Sequence, residues 1–174
     1  MPITEFATLR IKEPYTLQDE DLHGHFRTLS KWQAEWSSFP LTFYTNVDDH
    51  SLIYLISGWE SVEAHMKWIA SERNQELLRI FDSFISIAAF AHIDIDFTEI
   101  PEGTQVLALR KGEPGDIGAE EGLGPHMWTD GGRDLEESSH DMYRIWAYGE
   151  IEFQANAALK SAGGVQLLRR INPV

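Results

Sequence analysis

The sequence predicts an α+β fold: two ferredoxin-like βαββαβ units in tandem, the second shortened, closing one barrel. Three observations carry it. The first hundred residues read in order as strand, helix, strand, strand, helix, strand. The segment Leu9-Arg10-Ile11-Lys12-Glu13-Pro14 recurs one hundred positions later as Leu109-Arg110-Lys111-Gly112-Glu113-Pro114. Finally, a βαββαβ unit covers one sheet face with helices and leaves the other bare, so two units can bury those faces against each other. The expected division is a first repeat over residues 1–101 and a second over 102–174 that packs on it.

Each element has a local reason. Ile3 to Ile11 alternates, is rich in Thr, Phe and Ile, and reads as a strand stopped by Pro14. Thr16 and Asp19 have the spacing of a capping box, with Asp in place of Glu or Gln. Leu22, Phe26, Leu29, Gln33 and Trp36 follow at helical spacing, which predicts a helix from about Leu17 to Trp36 with one apolar stripe. Thr42–Val47 and Leu52–Trp59 read as strands joined by a turn at Asp48-Asp49-His50-Ser51. Ser61 is placed to cap a helix carrying Val62, His65, Met66 and Ile69, and a second helical piece is expected over Ser71–Ala88. His92–Ile100 alternates strictly and is expected to be the fourth strand.

In the second half, Trp128-Thr129-Asp130 is the counterpart of Tyr44-Thr45-Asn46. Asp141–Gly149 reads as a strand, Glu150–Ser161 as a helix stopped by Gly163-Gly164, and Val165–Ile171 as the last strand. The Gly-rich acidic stretch Gly112–Gly124 stands where the first helix would be and is expected to be a short helix or a loop.

Composition narrows the functions. With 28 acidic against 14 basic residues, a net charge of −14 disfavours nucleic acid and anionic membrane surfaces. Zero cysteines exclude disulfides, zinc-thiolate and iron–sulfur ligation, and a Cys nucleophile. The N-terminus lacks the basic and apolar regions of a signal peptide, and no apolar run approaches the roughly 18 residues of a membrane span, so the expectation is a cytoplasmic protein. Six Trp, five Tyr and nine Phe point to a large core or an aromatic-lined pocket.

The candidate chemical residues are His and acids. Strand alternation puts His92, Asp94, Asp96 and Thr98 on one face and Ile93, Ile95 and Phe97 on the other. The apolar row is expected to face the helices, leaving the polar row to a barrel lumen, where His92 and Asp94 can exchange protons, or to solvent as ordinary strand residues. His25 lies on the inward face of the first helix, whereas His23 points elsewhere. No metal site is expected, because His92 and Asp94 have no identifiable third ligand. Tyr44, Tyr54, Trp59, Trp128, Trp146 and Tyr148 fall on expected strands, either as core or as a pocket stacking on a planar aromatic substrate. Arg10 and Arg110 occupy equivalent strand positions and suit a substrate carboxylate or an internal Glu.

The stretch Leu55-Ile56-Ser57-Gly58-Trp59-Glu60-Ser61-Val62-Glu63-Ala64-His65-Met66-Lys67-Trp68 resembles the antibiotic biosynthesis monooxygenase-like families of the dimeric α/β-barrel superfamily. The likeness spans residues 3–101 by element order and Trp59–His65 by motif. It implies two four-stranded sheets forming a barrel, with ligands held between a sheet and its helices or in the lumen. Its members include cofactor-independent oxygenases of aromatic polyketides, polyketide cyclases and haem-degrading enzymes. Haem degradation in the family uses a first-strand Asn, a Trp ending the third strand and a His late in the second helix. Trp59 fits, but Phe6-Ala7-Thr8-Leu9-Arg10 has no Asn and Glu76-Leu77-Leu78-Arg79 no His, so that reading is set aside. The cofactor-free oxygenases imply substrate-holding roles for Asn46 and Trp59.

Two functions follow as expectations. The first is a cofactor-independent enzyme of aromatic or polyketide-type secondary metabolism, a cyclase, decarboxylase or monooxygenase. In it His65, His92 and Asp94 move protons, and Tyr44, Asn46, Tyr54, Trp59, Arg10, His25 and Trp128 hold the substrate. No cofactor is expected, and a homodimer is compatible with the fold. The second is a non-catalytic barrel that binds a hydrophobic molecule or mediates assembly, with His65 a structural helix residue bonded to a backbone carbonyl.

Overall fold

A computed structural model describes residues 1–114, 123–136, 139–156, 159 and 162–172. Its elements are β1 (Ile3–Ile11), α1 (Glu20–Ser37), β2 (Leu41–Asn46), β3 (Leu52–Trp59), α2 (Val62–Ile69), α3 (Glu72–Phe81), β4 (Ile85–Ile93), a 3-10 turn (Phe97–Glu99), β5 (Val106–Gly112), β6 (Trp128–Arg133), β7 (Met142–Tyr148), α4 (Glu150–Ala155) and β8 (Gln166–Ile171). The strands form one antiparallel sheet in the order β4-β1-β3-β2-β8-β5-β7-β6. Its first four strands and its last four repeat one ferredoxin-like order.

The sheet curls until its ends meet. Ile93 on β4 bridges Asp134 beyond β6, Asp94 N–H donates to Arg133 C=O at 2.9 Å, and Leu135 N–H donates to His92 C=O at 2.7 Å. The barrel therefore closes within one chain, through β2–β8 on one side and this seam on the other. Closure satisfies backbone groups that an open edge would expose.

Alternation then sorts side chains into three cores. Phe6, Tyr54, Ile56, Ile93, Leu107, Tyr143 and Ile145 point into the barrel and fill it. Ala7, Leu9, Ile53, Leu55 and Trp59 point outward against α1, α2 and α3. Val106, Ala108, Trp146 and Tyr148 point outward in the second half, against Phe153 of α4.

Three sequence expectations change. First, α1 begins at Glu20, not Leu17. Thr16 and Asp19 do interact, Asp19 Oδ2 accepting from Thr16 N–H at 2.6 Å, but this makes a turn before the helix, and Asp19 becomes the N-cap. Second, the segment expected to end a helix at Ala88 is strand from Ile85. Its pairing with β1 overrides the helical preference of Ala88-Ala89. Third, the strand stops at Ile93, and Phe97–Glu99 is a 3-10 turn capped by the Asp96 side chain. Most of the Gly112–Gly124 stretch lies outside the described residues, as do several positions of the expected helix through Ser161.

Two local devices set stability. Ser61 Oγ accepts from Ala64 N–H at 3.2 Å, capping α2; Ser61→Ala is expected to cost about 1 kcal/mol in chemical denaturation. Gly132 lies so close to Asp94 that a Cβ would overlap its carbonyl oxygen and stand 2.7 Å from its carbonyl carbon. Gly132→Ala should therefore force the seam apart and destabilise by roughly 1–3 kcal/mol, read as a lowered urea midpoint.

Candidate active site

The row that β1 turns toward the helices is Ile3, Glu5, Ala7, Leu9 and Ile11, four apolar residues with one acid among them. Glu5 is 5% exposed, and two side chains hold its Oε2: Trp59 Nε1, from the end of β3, and Gln33 Nε2, from the buried stripe of α1, each donating at 2.7 Å. His65 enters from the first turn of α2, which the Ser61 cap fixes. Its ring stacks on Trp59, centroids 4.3 Å apart and planes 22° off parallel, with Nε2 3.5 Å from Glu5 Oε1.

His92 completes the group because it is the register partner of Glu5 on β4 and shares its outward face. His92 Nε2 is 2.8 Å from His65 Nδ1, and His92 Nδ1 is 2.6 Å from Glu136 Oε1. Glu136 comes from the second half of the chain, delivered by the seam next to His92 and by its own N–H donating to Asp134 Oδ1 at 3.2 Å. The His92 side chain is fully buried, whereas that of Glu136 is 40% exposed.

Burial dominates the electrostatics. It pushes the Glu5 carboxyl up to about 7, against the opposing hydrogen bonds from Trp59 and Gln33. Burial also pulls the His65 imidazole down to about 3, assisted by repulsion from His92. Near neutral pH, Glu5 and His65 therefore face each other as a weak acid and a neutral base, not as an ion pair. The proton positions follow from the acceptors. With Glu136 Oε1 accepting from His92 Nδ1–H, His92 Nε2 is left to accept from His65 Nδ1–H. That leaves His65 Nε2 bare toward Glu5.

Glu5, Gln33 and His65 also line a cavity of about 240 Å³ between the sheet and helices α1, α2 and α3. The rest of its wall is apolar apart from Asn74, including Leu29, Leu55, Trp68, Leu77, Phe81 and Phe90. Leu78 and Ile87, 39% and 62% exposed, stand at its rim. Since a cavity of about 150 Å³ holds benzene, this one admits a planar compound of about two rings. Among the described lining residues His65 is the sole imidazole, and its nitrogens face His92 and Glu5, so the cavity offers no axial ligand for haem.

Of the residues expected to form a site, the structure brings together His65, His92 and Trp59. It separates the others. Asp94 turns outward and pairs with Arg133 at 3.7 Å, because the strand ends one residue earlier. His92 points to the helices while Ile93, Ile95 and Phe97 fill the barrel interior, the reverse of the expected orientation. Both faces of a closed barrel strand are covered, so polarity does not identify the lumen. Asn46 is engaged in the β2–β3 hairpin, its Oδ1 accepting from Asp48 and Asp49 N–H at 2.8 and 3.1 Å. Arg10 pairs with Asp49 and Ser51 at the surface, and Arg110 reaches Gly163 C=O at 3.5 Å. His25 packs edge-on against Phe81 and Phe84. The six strand aromatics do not share one pocket. Tyr44, Tyr54 and Trp128 belong to the barrel interior, Trp59 to the first helical layer, and Trp146 and Tyr148 to the second.

Three residues of the group were not among the sequence candidates. Glu5 and Gln33 each left a signal, a polar residue inside an apolar row. Glu136 left none, since only barrel closure brings it to His92.

No sequence-family profile matches the chain, and no curated protein matches it. Solved structures do. A candidate monooxygenase from Fusobacterium nucleatum superposes with a TM-score of 0.64 at 10% identity, covering 98% of this chain and 93% of the other. A candidate chlorite dismutase gives 0.62 at 8% identity, over 99% and 95%. An anthrone oxidase-like protein gives 0.55 at 14% identity, over 98% and 92%. With the strand order and closure above, these likenesses identify the fold: the chain is a dimeric α/β barrel in architecture, closed within a single polypeptide.

Proposed function

We propose that this chain is a cofactor-independent enzyme of aromatic or polyketide-type metabolism that removes a proton from a planar substrate of about two rings, with Glu5 and His65 as the base. One observation carries the reading: a carboxyl with an affinity for protons tuned near neutrality sits against an imidazole on the wall of an otherwise apolar cavity. An apolar wall binds the rings and keeps water from the carboxyl. Trp59 and Gln33 hold Glu5 Oε2, leaving Oε1 to the substrate and His65. The carbanion or phenolate formed is common to cyclisation and to oxygenation by O₂; in a decarboxylation departing CO₂ leaves the carbanion, and the same groups in protonated form return a proton to it. Proton removal needs only the residues already on the wall, which is why no cofactor enters the proposal. The expected units 1–101 and 102–174 are retained as part of it, the first holding the cavity. Because each chain closes its own barrel, any homodimer joins completed barrels.

The test is deuterium exchange into an enolisable bicyclic ketone such as 2-tetralone in D₂O, followed by NMR. The chain should catalyse exchange, and Glu5→Gln should slow it by about 10²–10⁴-fold. Tight binding with no exchange by the unaltered chain would favour the non-catalytic binder instead.

The pH dependence has two opposed signs. Exchange should rise as pH passes through about 7, where Glu5 ionises. The stability contributed by this group should fall over a lower interval, between about pH 4.5 and 7. The folded carboxyl holds its proton from the ordinary 4.5 up to about 7 while the unfolded one has lost it, so the loss grows to about 3 kcal/mol. His65 acts in the opposite sense, its contribution falling as pH drops from 6.5 toward about 3, so between about 4.5 and 6.5 the two slopes largely cancel. Glu5→Gln should therefore unmask a rise in thermal stability between about pH 4.5 and 6.5 that the unaltered chain does not show, read in melts recorded from pH 4 to 8.

A further inference from the structure

Proton removal at the buried Glu5 leaves a proton that must go somewhere, and the network behind Glu5 leads to solvent. We propose that His65, His92 and Glu136 form a proton relay beneath the helices along the barrel seam, from the cavity wall to the outside, and that Glu136, supplied by the second half of the chain, is its outer terminus. The inference rests on the catalytic reading above and deepens it.

The geometry is continuous. His65 Nδ1 to His92 Nε2 is 2.8 Å and His92 Nδ1 to Glu136 Oε1 is 2.6 Å, both hydrogen-bond distances. The remaining gap, 3.5 Å from Glu5 Oε1 to His65 Nε2, lies at the cavity end, where substrate binds. Each imidazole uses both nitrogens, one toward the cavity and one toward the surface. The two rings are thus arranged head to tail. At the outer end, Glu136 opens into a surface hollow shared with Arg133, Asp134, Ser139 and His140, so its carboxylate exchanges protons with water.

The transfer balances. A proton arriving at His65 Nε2 from Glu5 or from the substrate is matched by His65 Nδ1–H passing to His92 Nε2 and His92 Nδ1–H passing to Glu136. One proton enters the chain and one leaves it, and no charge remains on either buried ring. Both rings then carry hydrogen on the opposite nitrogen, and the return of a proton along the same path restores them. The relay thus suits a reaction that takes a proton early and gives one back late. Burial and repulsion from His92 make His65 a poor resting place for charge, as a conductor of protons requires.

Glu136→Gln is the informative variant, because it keeps the shape of an exposed side chain and removes the proton acceptor. In dilute buffer, its 2-tetralone exchange rate should fall roughly tenfold or more with KM little changed. Concentrated imidazole or acetate should restore the rate, and Glu136→Asp should be intermediate. A structural role for Glu136 would not give buffer rescue. An unchanged Glu136→Gln rate at every buffer concentration, with the unaltered chain active, overturns the relay and leaves the catalytic reading standing. If the unaltered chain exchanges no substrate, the catalytic reading fails and ¹⁵N NMR of the histidines still decides the network. Hydrogen on Nδ1 of both His65 and His92, lost or reversed in Glu136→Gln, supports it, and hydrogen on Nε2 of His65 in the unaltered chain overturns it.

Discussion

Barrel closure is the constraint on which the rest depends. A four-stranded ferredoxin-like sheet has one face for helices and one face with nothing to cover it. Here two such sheets share that second face, and Phe6, Tyr54, Ile93, Tyr143 and Ile145 meet there as a single core. The bridge between Ile93 and Asp134 is small, yet it removes the last open edge and holds the loop that follows β6 against β4. Gly132 is needed because the two backbones touch there, leaving no room for a side chain.

The chemistry follows from that architecture by way of register. Glu5 and His92 are opposite each other on β1 and β4, so one pairing sets two polar groups side by side under the helices. α2 lays His65 across both. In the second half the corresponding space beneath the short helix is filled by Trp146, Tyr148 and Phe153. The two halves share a strand order but differ in content: one keeps a cavity, and the other is packed and lends a carboxylate.

Much of this was legible in the sequence. Period-two alternation located β1 residue for residue, the strand-like run beside the Asp48–Ser51 turn located β3, and the Ser61 signal located α2. The fourth strand was misplaced because Ala88-Ala89 favours a helix by composition, and only β1 makes it extended. His65 and His92 were recognised individually. That they touch could not be read, since 27 positions and a misplaced strand separate them. Glu5 and Gln33 broke apolar patterns, and such interruptions deserve more weight than the aromatic count, which scattered over three cores. Glu136 depended wholly on the tertiary seam.

The seam also orders events in time. A ribosome releases β1, α2 and β4 long before β6, so the emerging chain first holds Glu5, His65 and His92 with no carboxylate beyond them. His92 would then face an open edge until the last third of the sequence folds back. The buried polar group thus reaches its full complement of partners only once β6 and the segment after it are in place, and a chain ending before them lacks the residue that links the cavity to water.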